Sequence, residues 1–228
     1  MDAKNLALTV LGKTLQSRGY RFVAVTPATH CRVLDRPLPA STLESIFGWN
    51  RPFDRDALDP EIFDLLEDAE ALEGESGRYK SKVRFATVDD LIFAHSGFPT
   101  GEPDAVLFGP DTYRFVRLLR ASLAGVASGG PLRLVDIGSG SGAGGIVAAG
   151  LLGKHTDIVL GDVNHKALAF SAVNAVADLR QRRSPRRHRP HSHQRRMNSG
   201  ALARGFGESN LMVLSRLGPE AAEHYALN

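Results

Sequence analysis

Apolar residues recur at helical spacing over residues 3–18, at Leu6, Leu8, Val10, Leu11 and Leu15, and Gly19 stops the run. YRFVAVTP follows, rich in β-branched and aromatic residues and closed by Pro27, which predicts a strand. Pro37 and Pro39 mark a loop. Ser41, with Glu44 three residues on, forms a capping box for a short helix. Asp59-Pro60 opens a second helix, with proline at its first position and Ile62, Phe63, Leu65, Leu66, Ala69 and Leu72 on its apolar face. Gly74 and Gly77 break the chain. RYKSKVRFATVDDLIFAHS then alternates, predicting two short strands joined near Val88-Asp89-Asp90.

Gly97 to Gly109 reads as a linker punctuated by proline and glycine. PDTYRFVRLLRASLAGV predicts a helix with Tyr113, Val116, Leu119 and Leu123 on one face and Asp111 or Thr112 at its start. LRLVDIG is a buried-type strand, SGSGAGG a glycine turn and IVAAGLLG a short apolar helix. DIVLGD is a second strand and HKALAFSAVNAVADL a second helix. Strand–turn–helix–strand–helix predicts an α/β fold with a Rossmann-like parallel sheet. The helices and β-hairpin before it predict a small α+β, winged-helix-like N-terminal domain. The expected organisation is 1–104 for substrate recognition, 105–179 as a nucleoside-binding half, and 180–228 as a tail.

Composition changes this picture in the tail. Residues 1–179 hold 18 basic and 22 acidic side chains, a balance of −4. Residues 180–196, RQRRSPRRHRPHSHQRR, hold eight Arg and no acid. The formal charge of +3 therefore comes from one short tract, and the body is mildly acidic. No apolar run reaches the roughly 20 residues that a membrane-spanning helix needs. One cysteine, Cys31, excludes an internal disulfide framework and a cysteine-rich zinc site. The expectation is a cytoplasmic protein without membrane contact. His188, His191 and His193 sit in a proline-broken, Arg-rich context that reads as a solvated tract, so no metal site is predicted. His30 beside Cys31 reads as a packed loop.

The glycine turn carries the chemistry. Leu134-Val135-Asp136-Ile137-Gly138-Ser139-Gly140-Ser141-Gly142 leads a strand into glycines and then a helix. Glycine permits positive φ and removes Cβ, so a ligand can approach the backbone. The helix start offers unpaired N–H groups. The next strand ends in Asp162, about 20 residues on, where a carboxylate is placed to accept both hydroxyls of an adenosine ribose. Gly140, Gly142 and Gly145 also satisfy the GxGxxG spacing of dinucleotide binders. Asp136 argues the other way, since a carboxylate there repels a pyrophosphate and suits ammonium and sulfonium charge. Asp136 as a structural cap on nearby N–H groups is the alternative.

V-D-I-G-S-G-S-G followed by Asp162 resembles the cofactor signature of class I S-adenosylmethionine methyltransferases. ALAFSAVNA is similar to the A-L-x-x-A-x-x-N-A helix after their second strand, with Ser171 in place of the middle alanine. Pro110-Asp111-Thr112 resembles the P-D-T helix start of the release-factor glutamine methyltransferases and their small-domain relatives. The resemblance covers roughly residues 105–179. It implies S-adenosylmethionine as cofactor, with Gly138, Ser139, Gly140 and Gly142 lining its methionine and ribose parts. It further implies Asp136 beneath the methionine amine, Asp162 on the ribose hydroxyls, Val163 flanking the adenine, and Thr112, with Asp111, closing the amino-acid end. Asn174 is expected to brace its helix. The implied acceptor is a planar amide or base nitrogen of a protein, such as a release factor, or of RNA.

The family's N-P-P-Y-type tetrapeptide holds the acceptor nitrogen. This sequence contains no Pro-Pro pair, which puts catalytic competence in question and leaves no catalytic residue assigned. After Leu179 one segment, LMVLSRL at 211–217, reads as a strand. Two explanations fit the tract from Arg180: a disordered basic arm that contacts RNA phosphates, or a changed coding frame that truncates the family pattern. Two rival functions remain open: an NAD(P)-dependent oxidoreductase using the GxGxxG spacing, and a non-catalytic RNA-binding module with a basic tail.

Overall fold

The computed structural model describes residues 1–37, 42–75, 77–126, 132–153, 156–181, 203–205 and 211–215. The Arg-rich tract beyond residue 181, Ser41 and the His188/His191/His193 group lie outside the described residues. Among those described, no helix is long and apolar enough to cross a membrane.

Helix α1 spans Ala3–Ser17, capped by the Asp2 carboxylate, which accepts the Asn5 N–H at 2.8 Å. Its predicted face is only partly the buried one. Leu8, Leu11 and Leu15 are buried, whereas Leu6 and Val10 are exposed. The strand expected over 20–27 is absent. Tyr20, Phe22 and Ala24 are buried and Arg21 and Val23 exposed, so the period of two is present, but no strand ladder forms, and the Thr87 N–H donates to the Phe22 O at 2.8 Å. Side chains satisfy much of this backbone instead. The Phe22 N–H goes to Thr87 Oγ1 at 3.2 Å and the Ala24 N–H to Tyr113 Oη at 2.9 Å.

Pro27 does not end a strand. It is the first residue of α2, Pro27–Leu34, and Thr26 caps it by accepting the Thr29 N–H. His30 and Cys31 are thus helical rather than in a loop, with His30 buried and Cys31 exposed. A π-helical turn covers Glu44–Gly48, and just before it Thr42 Oγ1 accepts the Ser45 N–H at 3.1 Å. Helix α3, Pro60–Asp68, has the predicted Asp59 cap and buries Ile62, Phe63 and Leu66.

Among the described residues the N-terminal region has five short strands, β1 Phe53–Asp54 before α3, then β2 Leu72–Glu75, β3 Arg78–Ser81, β4 Val83–Val88 and β5 Leu91–Ser96. Strands β1, β3 and β2 form one antiparallel sheet, and β4 and β5 form the predicted hairpin around Asp89-Asp90. RYKSKVRFATVDDLIFAHS therefore makes three strands, not two. Ser81 Oγ donates to the Val83 O and accepts the Val83 N–H, and this local bond pair turns the chain between β3 and β4.

Helix α4 spans Pro110–Leu123, β6 Leu132–Ile137, α5 Ala143–Leu152, β7 Thr156–Gly161 and α6 His165–Gln181. The cap of α4 is Gly109, which places Thr112 inside the first turn. Strands β6 and β7 pair parallel, from Leu132 opposite Thr156 to Ile137 opposite Gly161. On the other side of β6 lies β9, Leu211–Ser215, also parallel, and β8, Ala203–Gly205, pairs antiparallel with β9. The strand expected near 211–217 is thus β9. The fold is mixed α/β, with a small parallel sheet and several antiparallel strands. One apolar cluster runs from Leu11 and Leu15 of α1 through Phe85 and Phe93 of the hairpin to Ile146, Phe170 and Val173.

Candidate functional site

The glycine turn lies between β6 and α5. Gly138, Gly140 and Gly142 all have left-handed backbones, with φ of +72°, +56° and +77°. An L-residue with a Cβ enters this region at a cost of roughly 1–2 kcal/mol, so three alternating glycines let the chain fold back over the strand ends. Both the Gly138 and Ser139 N–H groups donate to the Gly161 O, at 2.8 and 3.0 Å, which fastens the turn to the end of β7. A Cβ on Gly138 or Gly140 would meet nothing within 4 Å, so this stretch of backbone is open to an incoming ligand.

Gly144 and Gly145 have a different task. A Cβ on Gly144 would lie 2.5 Å from the Phe115 ring, and one on Gly145 would lie 2.6 Å from Leu160 and 3.0 Å from Asp136. They let α5 press against α4 and the sheet. Gly145→Val is accordingly expected to lower stability by about 3 kcal/mol through overpacking. Denaturant unfolding measures this, and a loss under 1 kcal/mol contradicts the packing.

Asp136 is fully buried. Its Oδ2 accepts the Gly145 N–H at 2.8 Å, so the carboxylate sits on the N-terminal turn of α5, where the helix dipole favours negative charge. In this geometry it fixes the floor of the turn and presents no charge at the surface. Ser139 and Thr112 are buried as well. Thr112 donates its N–H to the Gly109 O within the first turn of α4, the helix that packs on α5.

Asp162, directly after β7, meets the turn. Its Oδ2 accepts the Gly140 N–H at 2.8 Å and its Oδ1 the Asn164 N–H at 2.9 Å. Asn164 Oδ1 then accepts the Lys166 N–H at 2.9 Å and caps α6. Val163 stands 92% exposed beside the carboxylate. The structure therefore brings together Gly138, Gly140, Asp162 and Val163 at the accessible surface, and Asp136, Ser139 and Gly142 beneath it.

Two contacts of α6 were not legible beforehand. Ser171 Oγ donates to the Gly140 O at 2.9 Å, and Asn174 Nδ2 donates to the Ser141 O at 2.8 Å. Three residues apart on one helix face, they hold consecutive carbonyls of the turn. The available signal was a pair of small polar residues at helical spacing within an otherwise apolar run.

A second polar cluster is buried under α2. Arg84 Nη1 donates to His30 Nδ1 at 3.1 Å, which requires the proton of His30 on Nε2, donating to the Trp49 O at 2.9 Å. Burial, then the Arg84 charge, lowers the His30 pKa to about 4. Burial likewise lowers the Arg84 pKa to about 10. His95, opposite Arg84 in the hairpin, is stacked on Phe108, and no hydrogen bond of good geometry reaches either ring nitrogen. Burial, then Arg84, drives its pKa well below the ordinary imidazole value.

A groove of about 510 Å³ lies elsewhere, between Arg21–Val23, the Thr87–Asp89 turn and one side of α4. None of the predicted site residues lines it. Arg21 and Arg120 on its rim are engaged by Asp90 and Asp89, and Arg117 also lines it. The glycine turn has the better chemistry: open backbone with an adjacent carboxylate. Among the described residues, no group of three His, Cys, Asp or Glu could hold a metal ion. No family model matches the chain, and no curated protein matches it.

Proposed function

We propose that this chain is a class I S-adenosylmethionine-dependent methyltransferase, or the cofactor-binding part of one, acting on a nitrogen of a protein or RNA. The observation that carries this reading is the hydrogen bond from the Gly140 N–H to Asp162 Oδ2. It puts the second-strand carboxylate against an open glycine turn, within reach of the hydroxyls of a ribose lying on that turn. The residues fit a nucleoside in part. Gly138 and Gly140 leave room above the backbone, Asp162 supplies acceptors, and exposed Val163 offers an apolar surface to an adenine. Asp136 supports the turn from below, which answers its place in the motif without direct ligand contact.

When bound, the cofactor supplies a sulfonium methyl for in-line transfer. The roles of this chain's residues are to bind and to orient. Asp162 exchanges the Gly140 N–H for ribose hydroxyls, Gly138 and Gly140 leave the backbone open along the ligand, with Ser139 and Gly142 beneath them, and Thr112, with Asp111, closes the amino-acid end from the start of α4. Positioning of this kind supplies much of a transfer's acceleration. With no Pro-Pro tetrapeptide to hold an acceptor nitrogen, the chain is expected to bind cofactor and to transfer methyl weakly or not at all.

Calorimetric titration with S-adenosylmethionine and with S-adenosylhomocysteine tests the reading. Binding of both with one-to-one stoichiometry is expected. No heat from protein that unfolds cooperatively ends the proposal, and NADH binding in its place reassigns the turn to a nicotinamide dinucleotide.

A further inference from the structure

Asn174 is 3% exposed, and its carboxamide lies between two backbones. On one side Oδ1 accepts the Ala94 N–H at 2.8 Å and Nδ2 donates to the Ala94 O at 3.0 Å. This reproduces the two-way exchange that a neighbouring strand would offer β5. On the other side Nδ2 donates to the Ser141 O, in the middle of the glycine turn. Both amide protons are used, together with one oxygen lone pair.

The geometry demands asparagine. Aspartate lacks both donors and sets a carboxylate against two carbonyl oxygens. Leucine or alanine leaves three buried backbone groups unpaired, and each such group costs roughly 1–3 kcal/mol. Packing alone asks for nothing of the kind, since Ala167, Phe170 and Val173 fill the same helix with apolar side chains. Ser171 supplies the contrast. It holds the adjacent carbonyl, that of Gly140, and has no hydrogen bond to the hairpin.

We propose that Asn174 is a positioning residue that couples the β4–β5 hairpin to the glycine turn, so that nucleoside occupancy of the turn and the seating of the hairpin are linked. This rests on the turn being a nucleoside site. The hairpin belongs to the N-terminal region proposed to recognise substrate, so the linkage would let acceptor binding and cofactor binding favour one another. Coupling of this sort is reciprocal: whatever steadies one end steadies the other by the same factor.

The test is amide-resolved hydrogen exchange on the full chain with and without S-adenosylhomocysteine. In the wild type the ligand is expected to slow exchange at the Ala94 N–H by about fivefold or more. Ser171→Ala, which loosens the turn without touching the hairpin, is expected to keep that protection. Asn174→Ala is expected to lose it and to bind the ligand at least ~10-fold more weakly, a loss of about 1.4 kcal/mol. If Asn174→Ala does not fold, Asn174→Ser takes its place with the same expected outcome. Ligand binding with Ala94 exchange unchanged overturns the coupling and leaves the nucleoside site standing. Protection that survives in Asn174→Ala also overturns it. Absence of binding to folded wild type overturns the nucleoside reading itself, and the coupling with it.

Discussion

Asp162→Ala is expected to weaken S-adenosylhomocysteine binding about 100-fold in calorimetry. The arithmetic rests on two hydrogen bonds from ribose hydroxyls to an ionised carboxylate, each worth roughly 1.5–3 kcal/mol. Part of that is offset, because binding displaces the Gly140 N–H from Oδ2. A net ~3 kcal/mol remains, which is about two decades of affinity. Asp162→Asn keeps one acceptor and loses the charge, so its loss is expected to be about 10-fold. Stability should fall by only about 1 kcal/mol in the alanine variant, since the carboxylate is half-buried and its two protein bonds are local to the turn and the α6 cap. The separation of the two readouts matters. A large affinity loss with a small stability loss assigns Asp162 to ligand, whereas affinity within twofold of wild type removes it from the site.

How far the sequence could be read depended on the range of the interactions. Helix α3 was legible because its cap, its first-position proline and its apolar face are all local. Helix α2 was not, although Thr26-Pro27 is a sound start signal. Of its eight residues only His30 is buried, so no apolar period marks it, and the β-formers before it pulled Pro27 into a strand. Those β-formers did predict the alternating burial of Tyr20, Phe22 and Ala24. Nothing in them could tell that Thr87 and Tyr113, more than 60 residues away, would satisfy backbone groups that a ladder normally takes. The glycine turn was legible as a turn because positive φ restricts residue type. The partners of each group in it were not. Asp136 reaches Gly145, and Ser171 and Asn174 reach back over 30 residues to the turn's carbonyls. Such contacts depend on where α5 and α6 pack, which spacing alone does not specify.

Acidification from pH 7 to pH 4 is expected to destabilise the fold strongly, by way of two histidines buried in neutral form. The pKa of His30 is about 4 in the folded chain against an ordinary value of 6.5, for reasons of burial and the Arg84 charge. Between those limits the unfolded chain binds a proton that the folded chain does not, so stability falls as pH falls. The loss begins near 6.5 and is complete near 4, where the gap corresponds to ~3 kcal/mol. His95 acts in the same direction, since complete burial, then the Arg84 charge, lowers its pKa well below the ordinary imidazole value. Titrating carboxylates add their own slope under about pH 5, so the comparison that isolates the effect is between wild type and His95→Phe. Phenylalanine keeps the stacking on Phe108, fills a similar volume and removes two ring nitrogens that lack well-formed hydrogen bonds. At pH 7.5 this variant is expected to be as stable as wild type or more so, because burying a polar edge without partners costs free energy. Below pH 6.5 its advantage should widen steadily in denaturant midpoints, as the wild type alone bears the cost of an imidazole that cannot take up its proton. A constant difference across that range would mean that His95 is either hydrated or already protonated in the folded chain.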